Sequence, residues 1–254
     1  MNSLVSSGHH AAPPLRTLVL VELRKNVDTR AGRAVLGTMT GIAALVLLLV
    51  AVASEDTAPL GELLEPVVLP LTALMPVIGV LTFTSEWSQR AAMSTFALVP
   101  RRQRVLLAKT IAVFVLDVLV VMSVTALGLL AHLLHVWKTG GEFSYEGTSA
   151  TLGLLSGIVL VVTTTGVATG LLLHSTPLAI TAVFLIPTVA SSLLGAISVV
   201  GPYLSGASWS DWLVGALSGQ GATVPAPAVA TSALLWLVVP AGVGTYRHLT
   251  REVR

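Results

Sequence analysis

The chain has 254 residues, of which 54% are hydrophobic and only 10% charged, against about 25% charged in an average soluble domain. That composition excludes an ordinary soluble globule and marks an integral membrane protein, while the lack of cysteine excludes disulfides, cysteine metal sites and thiol nucleophiles. The formal net charge is +2 and the pI 9.3, yet the basic residues flank apolar runs, so anionic lipid headgroups rather than nucleic acid are their expected counter-charge.

In chain order, residues 1–34 form a cytoplasmic segment. Its Leu15 to Leu23 stretch is interrupted by Arg16 and Glu22 and is too short for a cleavable leader. Within PLRTLVLVELRKNVDTRAGRAVL, Leu15, Leu18, Val19, Glu22 and Leu23 fall at helical spacing among basic residues. This predicts an amphipathic helix on the inner membrane surface, with Arg24 and Lys25 meeting headgroups; a plain basic anchor is the simpler reading.

Six apolar runs follow, at about 35–53, 66–84, 105–131, 150–173, 178–200 and 228–246, each close to the roughly 20 residues that cross about 30 Å of hydrocarbon. They lack the alternation of a membrane barrel, so one six-helix domain is expected over 35–246. Pro70 and Pro76 in the second run, Pro187 in the fifth and Pro240 in the sixth each remove a helical hydrogen bond and predict bends. Gly37 and Gly41 in the first run, and Gly153, Gly157, Gly166 and Gly170 in the fourth, stand at four-residue spacing. They permit close helix approach, either at a subunit seam or inside one bundle.

The connections differ in kind. Between the second and third runs lies SEWSQRAAMSTFALVPRRQRVLLAK, where Met93, Phe96 and Ala97 share one helical face that Pro100 ends, followed by Arg101, Arg102 and Arg104. A short cytoplasmic helix tied to two spans can take a push from a soluble partner; charge placement alone explains the arginines but not Glu86, Trp87 or the Met93/Phe96 face. The fourth and fifth runs are joined by a few residues around His174 and Pro177, which demands a hairpin. The 201–227 segment, with Tyr203, Trp209 and Trp212, reads as a short interfacial or re-entrant helix. Residues 247–254 form a basic tail.

Charge orients the whole. Arg16, Arg24, Lys25, Arg30 and Arg33, then Arg90, Arg101, Arg102, Arg104 and Lys109, then Arg247, Arg251 and Arg254 all fall on one side of a six-span threading, and only Lys138 on the other. The other side carries Glu55, Asp56, Glu62, Glu65, Glu142, Glu146 and Asp211. Positive residues mark the cytoplasmic face, so both termini are expected inside.

Polar residues inside the runs are few. Asp117 is charged within a span and is expected either to line a path or to bond a Ser or Thr of a neighbouring helix. Thr163, Thr164, Thr165 and Thr169 either line a polar cavity or bond back to their own helix. His132 and His135 lie one turn apart, as two metal ligands can, but without a third ligand no metal is expected.

Taken together, ELRK at Glu22 to Lys25, Thr29 with Arg30, and the Glu86 to Lys109 segment with its Leu-x-Pro-x-Arg core resemble the permease subunits of ATP-binding-cassette exporters, the type-2 permease family. The resemblance covers most of the chain. It implies an interfacial helix carrying Glu22, Arg24, Lys25 and Arg30, and a coupling helix with Glu86, Arg90, Phe96, Pro100, Arg101 and Arg104 docked on an ATPase. It also implies a translocation path touching Asp117, Thr163, Thr165 and Thr169.

No GxxxxGK(S/T) phosphate loop, HExxH or GxSxG motif occurs. The chain is therefore not expected to be an enzyme; ATP and magnesium belong to two copies of a separate ATPase subunit. A second permease subunit, identical or related, and membrane lipids complete the expected partners, in a bacterial cell membrane. The expected substrate is amphipathic: a drug, antibiotic, peptide or lipid. The alternative is a non-transporting scaffold, immunity or sensing protein of the same fold.

Overall fold

The computed structural model describes residues 13–55, 58–88, 102–195, 197, 200–219 and 224–250. Among them every regular element is helical. Helix α1 spans Leu15–Asp28 and α2 Arg30–Ala53, separated by an elbow at Thr29. Thr29 is extended and its hydroxyl accepts the Gly32 N–H at 3.1 Å, a side-chain cap that starts α2 afresh. Helix α3, Leu60–Leu64, runs through a 3₁₀ turn at Glu65–Val67 into α4, Val68–Ser88. Then follow α5, Arg102–Thr139, α6, Thr148–Leu173, and α7, Thr176–Gly195. Helix α8 is Gly201–Leu204, α9 Ala207–Ser218 and α10 Ala226–Ala233; a π turn at Leu234–Val238 leads into α11, Val239–Thr250.

Among the described residues five stretches are long and apolar enough to cross a membrane: Arg30–Ala53, Leu60–Ser85, Gln103–Thr139, Thr148–Leu173 and Ala226–Thr250. This is the pattern of an all-α, multi-pass membrane protein. A further apolar stretch, Thr176–Ala190, is shorter.

Several helix limits differ from the sequence expectation. The second apolar helix begins at Leu60, because Glu62 and Glu65 share its exposed face while Leu60, Leu63 and Leu64 are fully buried on the other. Hydropathy averaged along the chain misreads such a turn as a connection; the helix period resolves it. The third helix runs eight residues beyond the expected end at 131, as far as Thr139, because its terminal polar residues His132 and His135 find partners in the loops at Ala58 and Ser144. Pro70 follows the 3₁₀ turn at Glu65–Val67, where the Leu60–Ser85 helix departs from α geometry. Pro76 and Pro187 lie inside α4 and α7, and Pro240 is the second residue after the π turn.

Helix α6 is the centre of the bundle, packed against α3, α4, α5, α7, α9 and α11. Its glycines make this possible. A methyl group on Gly166 would stand 2.2 Å from the Pro76 carbonyl oxygen of α4, and one on Gly153 only 1.9 Å from the Leu217 carbonyl oxygen of α9. The α6 glycines therefore serve packing within one chain. Gly37 and Gly41 on α2, in contrast, have nothing within 4 Å of such a methyl.

Candidate functional site: a polar anchor and a cavity

Helix α1 does not lie on the surface by its leucines alone. Leu15, Leu18, Val19 and Leu23 are half-buried against the bundle and Glu22 and Asn26 fully buried, while Leu20, Val21 and Val27 are exposed. The apolar stripe expected to face lipid thus turns inward, because the same face carries two polar groups that need partners.

Those partners are specific. The Glu22 carboxylate is shared between two lysines: Lys25 Nζ lies 2.7 Å from Oε1, and Lys109 Nζ 2.8 Å from Oε2. Lys109, at the start of the apolar part of α5, also donates to the Thr82 carbonyl of α4 at 3.1 Å. Thr82 Oγ1 lies 2.8 Å from Asn26 Oδ1, and Asn26 Nδ2 donates to the Glu22 carbonyl at 3.1 Å. Burying charges is costly unless each is paired and hydrogen-bonded, and this arrangement meets both conditions. It fixes α1 to the C-terminal part of α4 and the N-terminal part of α5 at once. Beside it, a cavity of about 510 Å³ opens between the Lys25 to Gly32 elbow and the C-terminal part of α4 at Thr82 and Ser85.

The same end of the bundle gathers further basic residues. Arg104 Nη2 donates to the Pro13 carbonyl at 3.0 Å, and Arg247 Nη1 to the Leu172 carbonyl at 3.2 Å. His174 and His248 stack with ring centroids 4.3 Å apart, holding the C-terminal helix against the α6–α7 turn. At the opposite end, His135 Nε2 accepts the Ala58 N–H at 3.1 Å while its Nδ1 lies 3.1 Å from the Ala51 carbonyl. Nε2 is thus placed as an acceptor, and Nδ1 faces a carbonyl oxygen. His132 Nε2 accepts the Ser144 N–H at 3.3 Å, and Lys138 donates to the carbonyls of Val52 and Ser54. These residues clamp the loops after α2 and α5. Among the described residues no group of three metal-ligating side chains exists.

The second feature is a cavity of about 300 Å³ where the interrupted helices meet. Thr72 and Pro76 of α4, Val161, Val162 and Thr165 of α6, and Val183, Phe184, Pro187 and Thr188 of α7 form three sides; Gly206, Ala207, Trp209 and Ser210 at α9 with Trp236 of the π turn form the fourth. Trp236 Nε1 donates to the Leu204 carbonyl at 2.7 Å, and the Ser232 hydroxyl lies 3.3 Å from the Trp209 N–H, so the α8–α9 segment is fastened to the last helix. Irregular backbone is tolerated at membrane depth where it lines a cavity, and here Pro76, Pro187 and the π turn border the same space.

The predicted path residues divide. Thr165 lines the cavity. Thr169 bonds back to the Thr165 carbonyl at 2.8 Å. Asp117 is buried and accepts the Thr163 hydroxyl on Oδ1 at 3.0 Å, an α5–α6 contact away from the cavities described above. Thr163→Val is expected to cost about 1–2 kcal/mol, the range for a buried side-chain bond in a membrane bundle, whereas Asp117→Asn keeps the acceptor and should unfold within error of the parent; thermal unfolding in one detergent measures both. Glu86 falls in the last turn of α4. Arg90, Phe96, Pro100 and Arg101 lie outside the described residues, so of the predicted coupling residues Arg104 is the one with a contact on view, to the start of α1.

Sequence reading missed the Glu22–Lys109 pair, assigning Lys109 to the inner charge cluster; a lysine one turn inside an apolar run was the signal. Comparison with protein-family models, characterised proteins and solved structures finds no match to this chain.

Proposed function

We propose that the chain is the transmembrane subunit of an ATP-driven exporter, coupled to a separate ATPase and forming half of a path for an amphipathic substrate. The observation that carries this reading is the Glu22–Lys109–Thr82 anchor, because it joins α1, α4 and α5 on both flanks of the 89–101 connection. Force applied to that connection reaches the bundle through a rigid joint, which a passive loop would not require. The cavity among Pro76, Pro187 and Trp236 supplies a place for cargo within the same moving helices.

In this reading α7 is the sixth span, both termini and the 89–101 connection are cytoplasmic, and the host membrane is that of a bacterium. Two ATPase copies bind ATP and magnesium and close on each other, drawing the connections of two permease copies together. Mechanism then requires the α6 hub to tilt with α4, since glycine contacts leave no slack between them.

Affinity purification of the tagged chain from its native membrane in mild detergent tests the proposal. An ATPase subunit is expected in stoichiometric amount and is expected to be lost from Arg101→Glu. Arg104→Glu is a poorer control, because Arg104 also holds the start of α1. Recovery of intact protein without an ATPase, under conditions that retain known membrane complexes, refutes the coupling role and favours a scaffold or sensor.

A further inference from the structure

The cavity bounded by Pro76, Pro187 and Trp236 has a wall whose polarity is one-sided. A proline carries no N–H for the carbonyl four residues before it, so Pro76 leaves the Thr72 carbonyl, and Pro187 the Val183 carbonyl, without the usual helical donor. Residues four apart share a helix face, and both members of each pair line the cavity, so both gaps in the hydrogen-bond ladders open on its side.

The wall's hydroxyls do not supply the missing donors. Thr72 donates to the Val68 carbonyl at 2.7 Å, Thr165 to Val161 at 2.9 Å, Thr188 to Phe184 at 2.7 Å and Ser210 to Ala207 at 2.7 Å. Each hydroxyl hydrogen is spent on its own helix, so these hydroxyls offer lone pairs, and with the Trp236 N–H taken by the Leu204 carbonyl the side-chain donor on the wall is the Trp209 indole N–H. Among the described residues no charged side chain lines the space. Lys138, the lone base assigned to this end by the charge pattern, is bound to the Val52 and Ser54 carbonyls. The indoles of Trp209 and Trp236 add π faces that attract a cation.

We propose that this cavity binds an amphipathic molecule with one ammonium head, the head's N–H groups meeting the Thr72 and Val183 carbonyls and its apolar body the Val161, Val162 and Phe184 side. An anion finds carbonyl and hydroxyl acceptors against the single Trp209 N–H, and a neutral alcohol brings one donor where an ammonium brings three. The cavity's volume, about 300 Å³, is at the small end for ligand pockets, so one ring and a short chain suit it. The assignment of such a molecule as cargo rests on the exporter reading; its binding does not, and is measured without an ATPase.

The full chain in phosphatidylcholine nanodiscs is titrated by calorimetry with 4-phenylbutylammonium, 4-phenylbutanol and 4-phenylbutyrate, each against empty discs. The ammonium is expected to bind saturably and at least tenfold more tightly than the alcohol, and the carboxylate not at all. Pro76→Ala and Pro187→Ala restore the helical N–H that occupies each carbonyl. These changes favour the helix, so folding is retained, and they are expected to cut the ammonium's advantage at least threefold while leaving the alcohol unchanged. Equal binding of ammonium and alcohol, preference for the carboxylate, or an undiminished advantage in both proline variants overturns the proposal. Saturable ammonium binding by a chain that recovers no ATPase would uphold the site and refute the exporter.

Discussion

Lys109→Met is expected to destabilise the protein by about 3–5 kcal/mol, because it strands the Glu22 carboxylate at a buried position with one lysine partner instead of two. Glu22→Gln should also be costly, because it removes the carboxylate that meets the buried Lys109 ammonium at 2.8 Å. The double variant Glu22→Gln/Lys109→Met should recover much of the loss, since removing both charges removes the desolvation penalty as well. Thermal unfolding in a single detergent gives all three values. If the single variants unfold with the parent, the anchor is an ornament of the surface and the argument that α1 is joined to α4 and α5 fails. Lys25 is the internal comparison. Its side chain is 40% exposed against 5% for Lys109, so Lys25→Met should cost well under 1 kcal/mol in water-screened surroundings.

The second large effect is expected at Gly166. An alanine methyl there would stand 2.2 Å from the Pro76 carbonyl oxygen and 3.0 Å from its Cα, and both are backbone atoms that no rotamer change can move aside. Helices α4 and α6 must then separate along their most extensive contact, at a cost of about 1–3 kcal/mol or more. Gly41→Ala is the matched control. It meets nothing within 4 Å, and alanine is favoured over glycine within a helix by about 1 kcal/mol, so this variant should be neutral or slightly stabilised. Equal behaviour of the two variants would show that α6 is not the close-packed hub described above.

Much of the architecture was legible because membrane helices announce themselves through composition. Apolar length located five of the six expected spans, the fifth run being the shorter Thr176–Ala190 stretch among the described residues, and the placement of Arg and Lys separated the two ends that the folded chain also separates: Glu22, Lys109, Arg104 and Arg247 at one, His135 and Lys138 at the other. What was hidden depended on direction rather than content. Whether Leu15, Leu18 and Leu23 face lipid or protein is decided by Glu22 and Asn26 between them, whose partners lie 56 to 87 residues away. The glycine pairs look alike along the chain, yet those of α6 contact α4 and α9 while those of α2 contact nothing. The cavity was hidden for the same reason. Pro76, Pro187 and Trp236 are far apart in sequence, and only the bundle brings their helix interruptions to one place. Asp117 drew attention as a lone charge, but the fold places it against Thr163.

The proposed coupling requires that the end bearing the Glu22–Lys109 anchor face the cytoplasm, where an ATPase can reach the 89–101 connection. The chain contains no cysteine, so single cysteines can be introduced without removing any. Ser54→Cys, Glu142→Cys and Asp211→Cys should react with a membrane-impermeant maleimide on intact cells, whereas Ser175→Cys and Thr250→Cys should react only after the membrane is opened. The reverse pattern, with Ser175 and Thr250 labelled from outside, would place the anchor and its connection beyond the reach of any cytoplasmic ATPase and contradict the account.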